Sequence, residues 1–224
     1  MNLQILSIIA AISAAVLPIA LHLATQTQAQ DNPPAAVEAV ATAPSDPEQV
    51  LLNRRCIGCN LAGANFSNQD MSRINLRLAT LTEATLDRTK LINAILHQAK
   101  LDRASLVAAH FYGADVENAN LRGADLTEAQ FLNTSLAHSD LSEATLDRIE
   151  CRDANLTGVK LENALLRNAS LYGAILRDAN LKNADLSNAD LRYADLTGAN
   201  LNGANLTGAR LDLAIMPDGV VRYH

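Results

Sequence analysis

Apolar positions recur with a period of five along most of this chain. In residues 183–211, NADLSNADLRYADLTGANLNGANLTGARL, leucine falls at Leu186, Leu191, Leu196, Leu201, Leu206 and Leu211, with alanine two places before each. A continuous α-helix advances about 100° per residue, so residues five apart diverge by about 140° and form no apolar face. A continuous strand alternates faces at every residue, so an odd spacing sends successive leucines to opposite sides. Both conflicts vanish if the chain turns a corner inside every repeat. A short extended side points Ala and Leu the same way and the residue between them outward, and the remaining two residues make the bend. Four such sides close a square after 20 residues, and stacked squares pair like parallel strands about 4.8 Å apart.

The frame runs without insertion from Leu61 to Leu211, which gives 31 central positions, 25 of them Leu. The other six, Phe66, Met71, Phe111, Val116, Phe131 and Cys151, are all apolar. Two places from the centre, between Ala64 and Ala214, 24 of 31 positions are Ala. A frame of this length identifies a repeat architecture, with nearly eight coils and about 37 Å of stacked strand. The departures fit it. Phe111 and Phe131 are 20 apart and stack on one face, and Cys151 is offset by the larger Ile149, as a close-packed interior requires. Asp102 with Arg122, Asp147 with Arg167, and Glu162 with Lys182 are each 20 apart and predict ion pairs between neighbouring coils. Gln69, polar at an inward position, predicts an irregular first coil.

This tandem A(D/N)LXX pattern resembles the pentapeptide-repeat proteins over roughly residues 60–216. The resemblance implies an all-β solenoid, a right-handed quadrilateral β-helix of about eight coils. The stretch VLLNRRCIGCNLAGANF resembles the opening segment of exported cyanobacterial members, where a short helix and a CxxC pair precede the first coil. It implies an N-terminal capping α-helix and a location in the thylakoid lumen or periplasm. The tail MPDGVVRYH resembles the ending of the same group, with Asp218-Gly219 as its turn.

The ends add a domain plan. Leu3 to Ala24 carry no Asp, Glu, Lys or Arg, and a small-residue site follows at Thr27-Gln28-Ala29. Residues 1–29 are therefore expected to be a signal peptide, with an uncleaved membrane anchor as the alternative. Pro- and Ala-rich residues 30–45 are expected to be a linker. A capping helix with the CxxC pair is assigned to 46–57, with Ser45 as N-cap, Glu48 completing a capping box and Gly58 at the exit. The solenoid is assigned to 58–215 and a C-terminal turn and tail to 216–224. In an oxidising compartment Cys56 and Cys59 are expected to form a local structural disulfide, with two reduced thiols as the alternative.

Composition then excludes several classes of function. Aromatic residues make up only 3% of the chain, which suits a narrow Leu–Ala interior, and the net charge of −6 is dispersed with no basic patch for nucleic acid. His97, His110 and His138 share no equivalent position at 20-residue spacing. No phosphate loop, catalytic triad, metal site or cofactor site is expected, and the protein is not expected to be an enzyme. The expected function is that of an exported, rigid protein-interaction or scaffold module with an unidentified protein partner and no stable membrane insertion after cleavage. The alternative implied by the family is a DNA-mimicking, gyrase-binding protein if the mature form is cytoplasmic. Reading one corner of the stack in twenties gives Ser72, Ile92, Tyr112, Leu132, Arg152, Tyr172, Arg192 and Asp212, with Tyr193 on the same corner. Ile92, Tyr112, Leu132, Arg152, Tyr172, Arg192 and Tyr193 form the candidate partner surface, because Tyr and Arg tend to carry interface energy.

Overall fold

A computed structural model describes residues 46–223. The expected signal peptide (1–29) and linker (30–45) lie outside the described residues. The described residues begin with helix α1, Pro47–Asn53, whose N-cap Asp46 accepts a hydrogen bond from the Glu48 N–H at 2.9 Å. Proline in the first turn sacrifices no helical hydrogen bond. The cap is thus one residue later than the expected Ser45. The helix also stops well before Gly58: Arg54 takes a left-handed conformation at φ 48° and its N–H closes onto the Val50 carbonyl. The reason is that Arg55 already pairs with Asn75 in the β-ladder, so its backbone is committed elsewhere. Val50 is buried and Leu51 packs against the core.

From Arg55 to Asp195 every side contributes one bridging residue, paired in parallel with the residue 20 positions on, as in Asn60 with Thr80 and Thr80 with Lys100. The bridging residue is the one between the inward Ala and Leu, and a two-residue turn follows the Leu. One repeat shows where its backbone groups go. The Thr80 N–H donates to Cys59 in the preceding coil, Leu81 and Glu83 donate to Lys100 and Asp102 in the next, and Ala84 donates across the turn to Leu81. The remaining N–H, on the first turn residue, explains the recurrent Asp or Asn. In many repeats the bridging side chain accepts it two residues on, as Asp125 does from Thr127 at 3.0 Å and Asn155 from Thr157 at 3.1 Å.

The second turn residue has positive φ in every repeat, whatever its side chain: Asn133 at 52°, Arg103 at 55°, Gly123 at 65°. A bulky residue there costs conformational energy, which the fixed ladder on either side outweighs. Gly113 has a further reason to lack a side chain. A Cβ there would meet Asn93 Oδ1 at 2.5 Å, so the glycine leaves room for the Asn of the preceding coil.

The inward Leu and Ala side chains from Leu61 to Ala199 form one continuous core. Phe111 and Phe131 stack with centroids 4.2 Å apart and planes 10° apart. Cys151 is buried, and burial pushes its thiol well above the ordinary range. Three inward positions carry hydroxyls instead of methyls. Thr89, Thr134 and Ser139 donate to the carbonyls of Phe66, Phe111 and Val116, each 23 residues earlier, so no inward hydroxyl is left unpaired. Gln69 departs from its inward assignment: its side chain is exposed, while its N–H still closes the turn onto Phe66 and Asp70 still pairs with Lys90. The first coil is regular after all, and Gln69 is exposed because no ladder residue lies 20 positions before it to close over its amide. At the other end, Leu201, Leu206 and Leu211 are only partly buried, and the tail folds back with Ile215 antiparallel to Val221. Gly219, at φ 80°, donates to Met216, and Asp218 accepts from Val220.

Candidate interaction surface

The ladder brings the candidate residues onto one edge. Asn93 N–H donates to the Tyr112 carbonyl at 2.9 Å, Gly113 to Leu132 at 3.2 Å, Asp153 to Tyr172 at 3.1 Å and Gly173 to Arg192 at 2.9 Å. Tyr112 and Tyr193 are half exposed, at 52% and 51%, while Ile92, Leu132, Tyr172 and Arg192 are half-buried. The edge divides into two chemically different parts. In the upper part Tyr172 and Tyr193 meet at 5.1 Å between centroids, and the Arg192 guanidinium lies 5.3 Å from the Tyr172 ring centroid. Arg192 is held by two hydrogen bonds to Asp190, at 2.8 and 2.6 Å. Those bonds hold the Asp190 carboxyl below its ordinary range, against a smaller opposing effect of burial, and raise Arg192. Arg152 turns to its own surroundings, 3.4 Å from Glu150 and bonded to Ser170 at 3.3 Å. In the lower part, Ile92, Tyr112 and Leu132 present apolar and phenolic surface.

The other faces are laced with charge pairs. Arg167 meets Asp147 at 2.5 Å and Lys182 meets Glu162 at 3.0 Å, as the 20-residue spacing predicts. Arg122 does not take Asp102. It pairs with Glu143 at 2.6 Å, while Asp102 accepts from Asn120 and Thr82. The shorter 18-residue step reaches Asp102 first and satisfies it. That step recurs: Ser105 donates to Asp87 at 2.6 Å, and Arg177 donates to Asp195 at 2.6 Å.

The Cys56 and Cys59 sulfurs lie within bonding distance, with Cα atoms 5.5 Å apart, beside the end of α1. His97 lies among carboxylates. Its Nδ1 is 3.9 Å from Asp115 Oδ1, and Glu117 completes a half-buried cluster whose potential ligand atoms all lie within 4.8 Å of one another. Comparing histidines only with histidines misses this. The signal was legible as carboxylates 18 and 20 residues after a histidine. A groove of about 650 Å³ lies under the tail, lined by Met216, Val220, Val221 and Tyr223 among others. Among the described residues no helix is long and apolar enough to cross a membrane.

This geometry is that of a repeat solenoid, and comparison with known proteins gives its class. The family described as pentapeptide repeats matches in eight copies, over residues 59–98, 93–127, 117–149, 149–188 and 179–216. The chain belongs to the pentapeptide-repeat family, whose members fold as right-handed quadrilateral β-helices and serve generally as non-enzymatic structural or protein-interaction modules. No curated protein matches it. Among solved structures it is similar to HetL, a pentapeptide repeat protein involved in heterocyst differentiation regulation from the cyanobacterium Nostoc sp. strain PCC 7120. That similarity is 28% identity over 75% of this chain and 92% of HetL, with a TM-score of 0.46. QnrB1, a plasmid-mediated fluoroquinolone resistance protein, is 21% identical over 70% of this chain and 80% of its own, with a TM-score of 0.57, a likeness of fold alone. A pentapeptide repeat protein of the Arabidopsis thaliana thylakoid lumen is 27% identical over 54% of this chain and 70% of its own, with a TM-score of 0.23.

Proposed function

We propose that the chain is an exported, non-enzymatic scaffold: a rod of about eight coils, capped by α1, that presents the Ile92–Tyr193 edge to a protein partner in the thylakoid lumen or periplasm. The observation that carries this reading is the edge itself. Tyr112 and Leu132 belong to adjacent coils joined by a backbone hydrogen bond, so the fold holds their spacing without loops or lids. Rigid aromatic side chains lose little entropy on contact, which favours them as anchors. The DNA-mimic alternative is disfavoured by charge, because Arg167, Lys182 and Arg148 neutralise carboxylates along the surface. In this reading Cys56 and Cys59 are oxidised in the mature protein and tie the end of α1 to the first coil. Mass spectrometry of the native protein with and without reduction tests that element; two free thiols would contradict it.

The partner surface is tested by affinity capture from the native compartment with the wild-type protein and with a variant carrying Tyr112→Ser, Leu132→Ser and Tyr172→Ser. The variant is expected to keep its circular-dichroism spectrum and cooperative melt and to lose the captured partner. A partner retained by a folded variant would move the binding surface elsewhere.

A further inference from the structure

The cluster of His97, Asp115 and Glu117 lies on the corner next to the Tyr112 edge and does not depend on that edge's role. The solenoid itself assembles it. Asp115 follows His97 by 18 residues, the step that also joins Arg177 to Asp195, and Glu117 follows by 20, the height of one coil. His97 Nδ1 and Asp115 Oδ1 are 3.9 Å apart, and the potential ligand atoms of all three residues lie within 4.8 Å of one another. Two donors bound tetrahedrally to one ion at about 2.0–2.2 Å sit roughly 3.3–3.6 Å apart. The observed spacing lies just beyond that span and closes with side-chain rotations of about an ångström.

We propose that His97, Asp115 and Glu117 bind one divalent transition-metal ion of the zinc type, with water completing its coordination. The donor set selects the class. Magnesium and calcium take oxygen ligands, whereas an imidazole nitrogen beside two carboxylates suits zinc and its neighbours. Both carboxylates are already oriented. Asp115 Oδ1 accepts from the Glu117 N–H at 3.1 Å, and Glu117 Oε1 accepts from Ser135 Oγ at 2.6 Å. Outer hydrogen bonds of this kind fix metal ligands in place. No Lys or Arg among the described residues pairs with either carboxylate, in contrast to Asp147 and Glu162. The next residue in the stack after Glu117 is Ala137, which is buried and adds only a methyl group over the site. All three ligands are half-buried, so an ion can reach them from solvent. Bound there, it joins the coil of His97 to that of Asp115 and Glu117 and clips the stack from outside.

The test is zinc titration of the full-length protein by calorimetry, with its cysteines in their native state. One zinc per chain is expected. His97→Ala and Glu117→Gln are each expected to weaken it by at least about tenfold, with the metal-free melting temperature of each variant close to wild type. The His97 ring resonances are expected to shift with zinc while those of His110 and His138 stay fixed, and an excess of magnesium is expected not to displace the ion. Absence of one-to-one binding, affinity unchanged in His97→Ala, or displacement by magnesium would each overturn the site.

Discussion

Leu186 and Leu206 occupy the same place in successive coils and have different fates. Leu186 is fully buried and its N–H donates to the Asn205 carbonyl at 2.8 Å. Leu206 is only partly buried, and its N–H finds no backbone acceptor among the described residues. Both stretches, LSNAD and LTGAR, keep the inward Leu and Ala of the same repeat. What differs is the neighbour: residues 205–210 cover one coil, and nothing but the short tail covers the other. A repeat in this fold therefore receives its burial and its hydrogen bonds from the coils beside it, as in a one-dimensional stack. The α1 end is less open, because Val50 and Leu51 supply apolar cover there.

The most damaging way to probe this difference is to shift the frame. One residue inserted between Thr127 and Glu128 sends inward side chains outward through every coil beyond it, or forces a bulge that breaks two coil contacts. Loss of the cooperative melt is expected. The same insertion between Thr207 and Gly208 disturbs only the part-covered coil and is expected to leave most of the melt intact. Equal damage at both sites would refute the neighbour account. Next in size is side-chain truncation. Leu126→Ala, in the buried centre, is expected to cost about 2–5 kcal/mol by chemical denaturation, and Leu206→Ala less than about half of that. Smaller again is Thr134→Val. It removes the hydroxyl bond to the Phe111 carbonyl but leaves that oxygen its bond from Ala114, for a cost of about 0.5–1.5 kcal/mol.

Acid supplies the smallest effect and a spatial one. Asp70, Asp140, Asp185, Asp190 and Asp195 are all held below the ordinary carboxylate range, and three of the five lie in the C-terminal part of the stack. Hydrogen bonding with Ser187 dominates at Asp185, and the Arg192 guanidinium at Asp190. At Asp195 burial pulls the value up, but bonds from Thr197 and Arg177 together outweigh it. A carboxyl lowered in the folded state gives stability that is complete above its unfolded value, about 3.9, and is lost as pH falls through the folded value. Stability is expected to be flat near neutrality and to fall below about pH 4, with the C-terminal coils losing amide protection first. Stability that rises on acidification would contradict the sign.

The sequence carried the fold because every inward position repeats at a fixed interval, so one residue type answers one geometric question 31 times. It also carried the Phe111–Phe131 stack and two of three charge pairs, since these depend only on the 20-residue step. What it missed lies one step off that rule. The 18-residue neighbour took Asp102 from Arg122 and brought Asp115 to His97. The 23-residue carbonyl explained Thr89, Thr134 and Ser139. Gln69 and the start of α1 depart from the pattern where the periodicity has only one neighbour to act through. The candidate surface was legible as residue type and stacking, but its division at Arg152 was not, because that side chain's choice of Glu150 and Ser170 is local.

Amide hydrogen exchange resolved along the chain tests the neighbour account most directly. The N–H groups of Leu166, Leu171, Leu176, Leu181, Leu186 and Leu191, each bonded to the following coil, are expected to exchange slowly and together. Those of Leu201, Leu206 and Leu211 are expected to exchange orders of magnitude faster, at rates set by local opening. Protection that runs undiminished through Leu211, or that follows local sequence and ignores position in the stack, would contradict it.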